Sequence, residues 1–177
     1  MTDEALAELV DRVARWALGG NHRIVTAESC TGGWIAKVFT DLAGSSRWFE
    51  CGFVTYSNIA KVRDLGVSQR TLDEQGAVSE ATVREMAAGA LNAAGAGASV
   101  EVAPNFSIAV SGIAGPDGGS VEKPVGTVWF CVSGGRRGGV IRTIAEGRLL
   151  RGDRDTVRRL SVAHSLDLLL RFGTLIQ

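Results

Sequence analysis

Lysine, tyrosine, histidine and cysteine are all scarce in this chain of 177 residues. The cysteines, Cys30, Cys51 and Cys131, are odd in number and widely spaced, and only His22 and His164 are available to join them around a metal. That set argues against a zinc site and against a disulfide framework. An excess of charge of either sign is missing too: 19 basic and 19 acidic residues cancel, which removes any bulk attraction to nucleic acid or to an anionic membrane. The acidic start MTDEALAELV has neither the basic opening nor the apolar run of a signal peptide, and no later apolar stretch is long enough to span a bilayer. The expectation is a cytoplasmic protein with neither nucleic acid nor membrane as partner.

What the chain does have is apolar content, 45% of residues, and 23 glycines, enough for one substantial core with many tight turns. A single domain over residues 1–177 is expected. Leu6, Leu9, Val10, Val13, Trp16 and Ala17 recur at helical spacing, with Gly19-Gly20 as the stop. RIVTA leads as a short β-branched strand into ESCTGG, and WIAKVFTDL resumes helical spacing, which reads as strand, tight turn and helix. GFVTY predicts a second strand, after which Asn58 is placed to cap a short helix carrying Lys61. Ser79 is the cap candidate for EATVREMAAGALNAAG, and AGASVEVAPN reads as a surface loop. FSIAVSGIAG begins as a buried strand, VGTVWFCVSGG and GGVIRTIAEG form a hairpin, and Asp153 caps a long final helix. Early alternation of strands and helices followed by a hairpin predicts an α/β fold with a mixed sheet covered by helices on both faces.

The chemistry concentrates at ESCTGG. A serine where a strand turns into a helix holds its oxygen at the carboxyl edge of a sheet, and backbone N–H groups of Cys30, Thr31, Gly32 and Gly33 at the helix start can take an oxyanion. A glycine-rich turn with no chemistry has the same spacing. Neither histidine is well placed as a base for Ser29, and no GxSxG elbow occurs. The remaining candidate is YSNIAK, in which a desolvated Lys61 accepts the serine proton and Tyr56 relays it. Cys30 is the alternative nucleophile, because helix N-termini lower thiol pKa values. The glycine-rich loop from Gly112 to Gly119, with Gly112 and Gly115 at its start, can wrap a phosphate or sugar, although it has neither the Rossmann nor the Walker spacing. Arginines at 148, 151, 154, 158 and 159 can bind phosphate or form a charged solvent face.

Taken together, TAESCTGGWIAK, GFVTYSNIAK, GAVSE, SGIAGPDGG and EKPVGTVWF resemble the CinA C-terminal domain family, whose stand-alone members are nicotinamide mononucleotide deamidases. The resemblance implies a three-layer α/β/α sandwich and an amidase that converts nicotinamide mononucleotide to nicotinic acid mononucleotide and ammonia. It also implies a homo-oligomer, no metal and no organic cofactor. Carried onto this sequence it makes Ser29 the nucleophile, Lys61 the general base and Tyr56 an aid to proton transfer. The ribose and phosphate are then expected between the loop at Gly112 and Gly115 and the residues Ser57 and Asn58. A non-catalytic nucleotide-binding or partner-binding module using the same pocket is the competing expectation.

Overall fold

In a computed structural model, which describes residues 1–176, the chain runs through six α-helices and five strands. The order is α1 (Asp3–Gly19), β1 (Ile24–Glu28), α2 (Trp34–Asp41), β2 (Phe49–Val54), α3 (Asn58–Leu65), α4 (Gln69–Gln75), α5 (Glu80–Gly95), β3 (Phe106–Gly112), β4 (Thr127–Gly134), β5 (Arg142–Leu149) and α6 (Arg154–Leu175). Gln177, the last residue of the expected domain, lies outside the described residues.

The strands lie in the order β2-β1-β3-β4-β5. β1 pairs in parallel with both β2 and β3, while β3–β4 and β4–β5 are antiparallel. Parallel neighbours need crossovers, and α2 and the α3–α5 segment supply them; antiparallel neighbours need only a hairpin. Side chains alternate across the sheet with period two. Ile24, Phe106, Ile108, Val110, Val128, Phe130 and Val132 pack with α1, α2 and α6 on one face. Val25, Ala27, Ala109 and Cys131 pack with α3, α4 and α5 on the other. The result is the expected three-layer α/β/α sandwich with a mixed sheet.

The face toward α5 is lined by small residues, so α5 lies close to the sheet and α3 crosses closely behind it. A Cβ on Gly89 of α5 would lie 1.8 Å from the Leu65 carbonyl oxygen of α3. The expected caps at Ser79 and Asp153 are present, their side chains accepting the N–H of Thr82 and of Thr156. The cap of α3 is Ser57 rather than Asn58: the Ser57 hydroxyl accepts the Ala60 N–H at 3.1 Å, and Asn58 is the first helical residue. Helix α4 was not expected, because QRTLDEQ buries only Leu72 and so has no apolar period. Strand β2 starts at Phe49 and stops at Val54, which leaves Tyr56 beyond its end. Among the described residues, no helix is long and apolar enough to cross a membrane.

Candidate active site

The carboxyl ends of the parallel strands β1, β2 and β3 meet at the Ser29 turn. β1 and β3 are held in register to Glu28 and Val110, and the Ser29 N–H then donates to the Val110 carbonyl at 3.0 Å. On the other side the Thr55 N–H donates to the Glu28 carbonyl at 2.8 Å, which carries β2 pairing one step past the strand and positions the start of α3. One turn into α3, Lys61 points back into the sheet edge. Its Nζ lies 3.0 Å from Ser29 Oγ and donates to the Thr55 carbonyl at 2.7 Å. Lys61 is 1% exposed and Ser29 8%.

Burial disfavours the ammonium, so the Lys61 pKa falls from 10.5 to about 8. Among the described residues no carboxylate forms an ion pair with Lys61, so no salt bridge offsets this desolvation. A neutral amine has two N–H donors and one lone pair. With one N–H on the Thr55 carbonyl, the lone pair is available to the Ser29 hydroxyl proton.

The turn itself is shaped by Glu28, which the sequence pattern places after the strand with no role of its own and which the structure makes the last residue of β1. Its carboxylate is fully buried and accepts from Thr31 Oγ1 at 2.7 Å, Thr26 Oγ1 at 3.3 Å, Ile35 N–H at 3.0 Å and Ala36 N–H at 2.9 Å. Glu28 thus caps α2, because Gly33 at the N-cap position has no side chain to do so. Gly32 and Gly33 have φ of +62° and +90°, a backbone that L side chains adopt only with strain. The signal for Glu28 was present in the sequence: an acidic residue at the end of a buried strand needs partners, and orphan helix N–H groups are the nearest donors.

Of the four residues expected to offer N–H groups, Gly32 is engaged, its N–H donating to the Ser29 carbonyl at 3.0 Å. Among the described residues, the N–H groups of Cys30, Thr31 and Gly33 have no backbone or side-chain oxygen acceptor. The Cys30 thiol is buried in the core formed with α1, α2 and α6, and burial pushes its pKa up to about 11 despite the nearby Lys61. A thiol of that kind is held protonated at neutral pH, the form that packs rather than attacks.

Tyr56 is 62% exposed, and its hydroxyl accepts from Arg154 Nη2 at 3.1 Å. Its hydrogen-bond partner among the described residues is therefore Arg154, not Lys61 or Ser29. The same guanidinium donates to the Gly115 carbonyl at 2.6 Å, tying the loop after β3 to the end of β2. Gly112 and Gly115 are needed for packing: a Cβ there would meet Val128 at 2.7 Å and Val125 at 2.6 Å. Ser57 and Asn58 are exposed at the start of α3. Both histidines lie in other clusters, His22 against Asn105 and His164 against Glu146 and Phe130. Arg158, one of the arginines expected to bind phosphate or join a solvent face, turns inward to the Ser29–Gly33 turn, with Nε on the Cys30 carbonyl at 3.0 Å and Nη2 on the Thr31 carbonyl at 2.8 Å. A cavity of about 830 Å³ between α1, α2 and α6 touches Gly32, Gly33 and Arg158, but neither Ser29 nor Lys61 lines it. Among the described residues no three His, Cys, Asp or Glu side chains converge to hold a metal ion.

A serine hydroxyl paired with a buried lysine at the carboxyl edge of an α/β/α sheet is an arrangement in which a proton can pass between the two groups. The model of the CinA C-terminal domain family matches residues 6–172, and the chain belongs to that family. It is 52% identical to nicotinamide-nucleotide amidohydrolase PncC of Escherichia coli strain K12 over 96% of this chain and 95% of that one. It is 46% identical to PncC of Pseudomonas putida, over 97% and 99% of the two chains. In structure it is similar to a competence-damaged protein (CinA) superfamily protein of Klebsiella pneumoniae 700603, with a TM-score of 0.84, 36% identity and 96% and 98% of the two chains covered.

Proposed function

We propose that this protein hydrolyses the carboxamide of nicotinamide mononucleotide to nicotinic acid mononucleotide and ammonia, with Ser29 as nucleophile and Lys61 as general base. The carrying observation is the 3.0 Å contact between Ser29 Oγ and the buried Lys61 Nζ, and the amidohydrolases that match the chain over nearly its full length supply the substrate. A binding module has no need of a buried lysine whose ammonium is desolvated without a counter-charge; such a group costs stability and is explained by proton transfer.

In the proposed reaction Ser29 Oγ attacks the carboxamide carbon while its proton passes to the lone pair of Lys61. The tetrahedral oxyanion lies against the free N–H groups of the Cys30–Gly33 turn. Lys61 then returns the proton to the departing nitrogen, which leaves as ammonia, and an acyl ester on Ser29 remains. Water attacks the ester, giving its proton to Lys61, and the proton finally returns to Ser29 Oγ. Lys61 acts directly in this scheme. Tyr56, held by Arg154 at the mouth of the site, serves substrate contact, and the ribose and phosphate lie between the loop at Gly112 and Gly115 and the Tyr56–Asn58 segment, with Arg154 as their cation.

The test is ammonia release from nicotinamide mononucleotide by the wild type and by Ser29→Ala, both checked for folding. Loss in the variant is expected; equal rates in the two proteins would remove Ser29 from the mechanism. We also propose a cytoplasmic homo-oligomer, for which exposed Val54 and Ile59 supply apolar surface. Sedimentation that gives a monomer at micromolar protein contradicts the assembly.

A further inference from the structure

We infer that Glu28 and Arg158 are positioning residues that grip the Ser29–Gly33 turn from two sides and so dictate that the Thr31 N–H is the chief donor to the oxyanion. This rests on the proposed attack by Ser29. Helix α2 has no N–H to spare: Ile35 and Ala36 donate to Glu28, Trp34 to the Thr31 carbonyl and Lys37 to the Gly33 carbonyl. Gly32 donates to the Ser29 carbonyl. Only the N–H groups of Cys30, Thr31 and Gly33 remain, and Thr31 is the one fixed at several points.

Its hydroxyl is tied to Glu28 at 2.7 Å, and the carbonyls on both sides of its Cα, those of Cys30 and Thr31, are held by Arg158 at 3.0 and 2.8 Å. In a trans peptide the N–H points opposite to the C=O of the same unit. The Cys30 carbonyl and the Thr31 N–H belong to one such unit, so a guanidinium on the carbonyl turns the N–H to the side away from α6. It also draws electron density from the amide and strengthens the N–H as a donor. Arg158 is suited to that task, because among the described residues no carboxylate forms an ion pair with it, and its Cζ lies over the Trp34 ring, 5.1 Å from the centroid. Neither contact would be needed merely to end a strand or start a helix, for which Glu28 alone suffices.

Arg158→Ala is expected to lower kcat at least about tenfold, part of the hundredfold or more that loss of an oxyanion donor costs. KM stays within about threefold, and millimolar guanidinium restores part of kcat. A fluorophosphonate probe, which also develops oxyanion charge as it phosphonylates a serine, reads the same turn without the natural substrate; labelling of Ser29, followed by mass spectrometry, slows in parallel. A folded Arg158→Ala with kcat and labelling within twofold of wild type overturns the inference. So does unchanged kcat with raised KM, which would make Arg158 a substrate ligand. If Arg158→Ala does not fold, Arg158→Lys decides: one ammonium cannot hold both carbonyls as the fork does, so lowered kcat at constant KM is expected and wild-type kcat overturns the clamp. A wild type that is labelled at Ser29 but releases no ammonia loses the proposed substrate and leaves the clamp to the labelling rates; one that is neither labelled nor active refutes the serine reading and the clamp with it.

Discussion

At the scale of single residues, the site turns on how far a lysine will go to avoid being charged. With a pKa of about 8, one unit above neutrality, about one Lys61 in ten carries a lone pair at pH 7. As the reacting form is the neutral one, kcat/KM is expected to climb nearly tenfold per pH unit below about pH 8 and to level above it. A profile flat between about pH 6 and 9, measured by ammonia release, contradicts Lys61 as the base. Lys61→Ala is expected to lower kcat by at least about a hundredfold in a folded protein. The thiol next to the serine behaves in the opposite sense. Burial holds Cys30 protonated, so Cys30→Ala is expected to retain most of the activity while losing stability by about 1–2 kcal/mol through lost packing, read by urea unfolding. Activity lost with Cys30 and kept with Ser29→Ala would reverse the assignment of the two neighbours.

At the scale of elements, the serine and the lysine come from segments 32 residues apart, and two helix starts bring them together. The α3 start depends on Ser57, whose hydroxyl satisfies the Ala60 N–H, so Ser57→Ala is expected to cost about 1 kcal/mol. The placement of α3 against the sheet depends on α5. At Gly89 a Cβ would meet the Leu65 carbonyl at 1.8 Å, and this backbone oxygen at the last residue of α3 cannot step aside without moving the end of that helix. Gly89→Ala is therefore expected to destabilise by about 1–3 kcal/mol and to lower kcat by displacing Lys61; thermal unfolding together with turnover checks both. These contacts also show what the sequence could disclose. Apolar period exposed α1, β3 and α6, and the Ser-Cys pair before two glycines marked the turn. Lys61 was readable because lysines are so few. Long-range contacts were not readable. Arg158 meets Cys30 from 128 residues away and Arg154 meets Tyr56 from 98, and nothing local distinguishes an inward arginine from its solvated neighbours. Glu28 was overlooked for a different reason: the helix it caps is reached through the backbone N–H groups of Ile35 and Ala36, which carry no residue identity.

At the scale of the whole molecule, the depressed Lys61 pKa is a statement about folding as well as catalysis. In the unfolded chain the amine regains its ordinary value near 10.5, against about 8 when folded. Below about pH 8 both states hold the proton, and the folded state bears the full cost of burying it, on the order of 3 kcal/mol. Between about pH 8 and 10.5 the unfolded chain still binds a proton that the folded one has released, so raising the pH favours the fold; above that window the lysine has no further effect. Lys61→Met fills similar volume without a titrating group, at the expense of leaving the Thr55 carbonyl without its donor, a penalty of about 1–3 kcal/mol that does not change with pH. The difference in unfolding free energy between wild type and Lys61→Met should thus shift toward the wild type by up to about 3 kcal/mol from pH 7 to pH 10.5, since the other titrating groups cancel between the two proteins. Urea unfolding at both pH values measures it. Parallel stability curves would mean that Lys61 keeps an ordinary pKa in the fold, and the base proposed for Ser29 would then be an ammonium with no lone pair to offer.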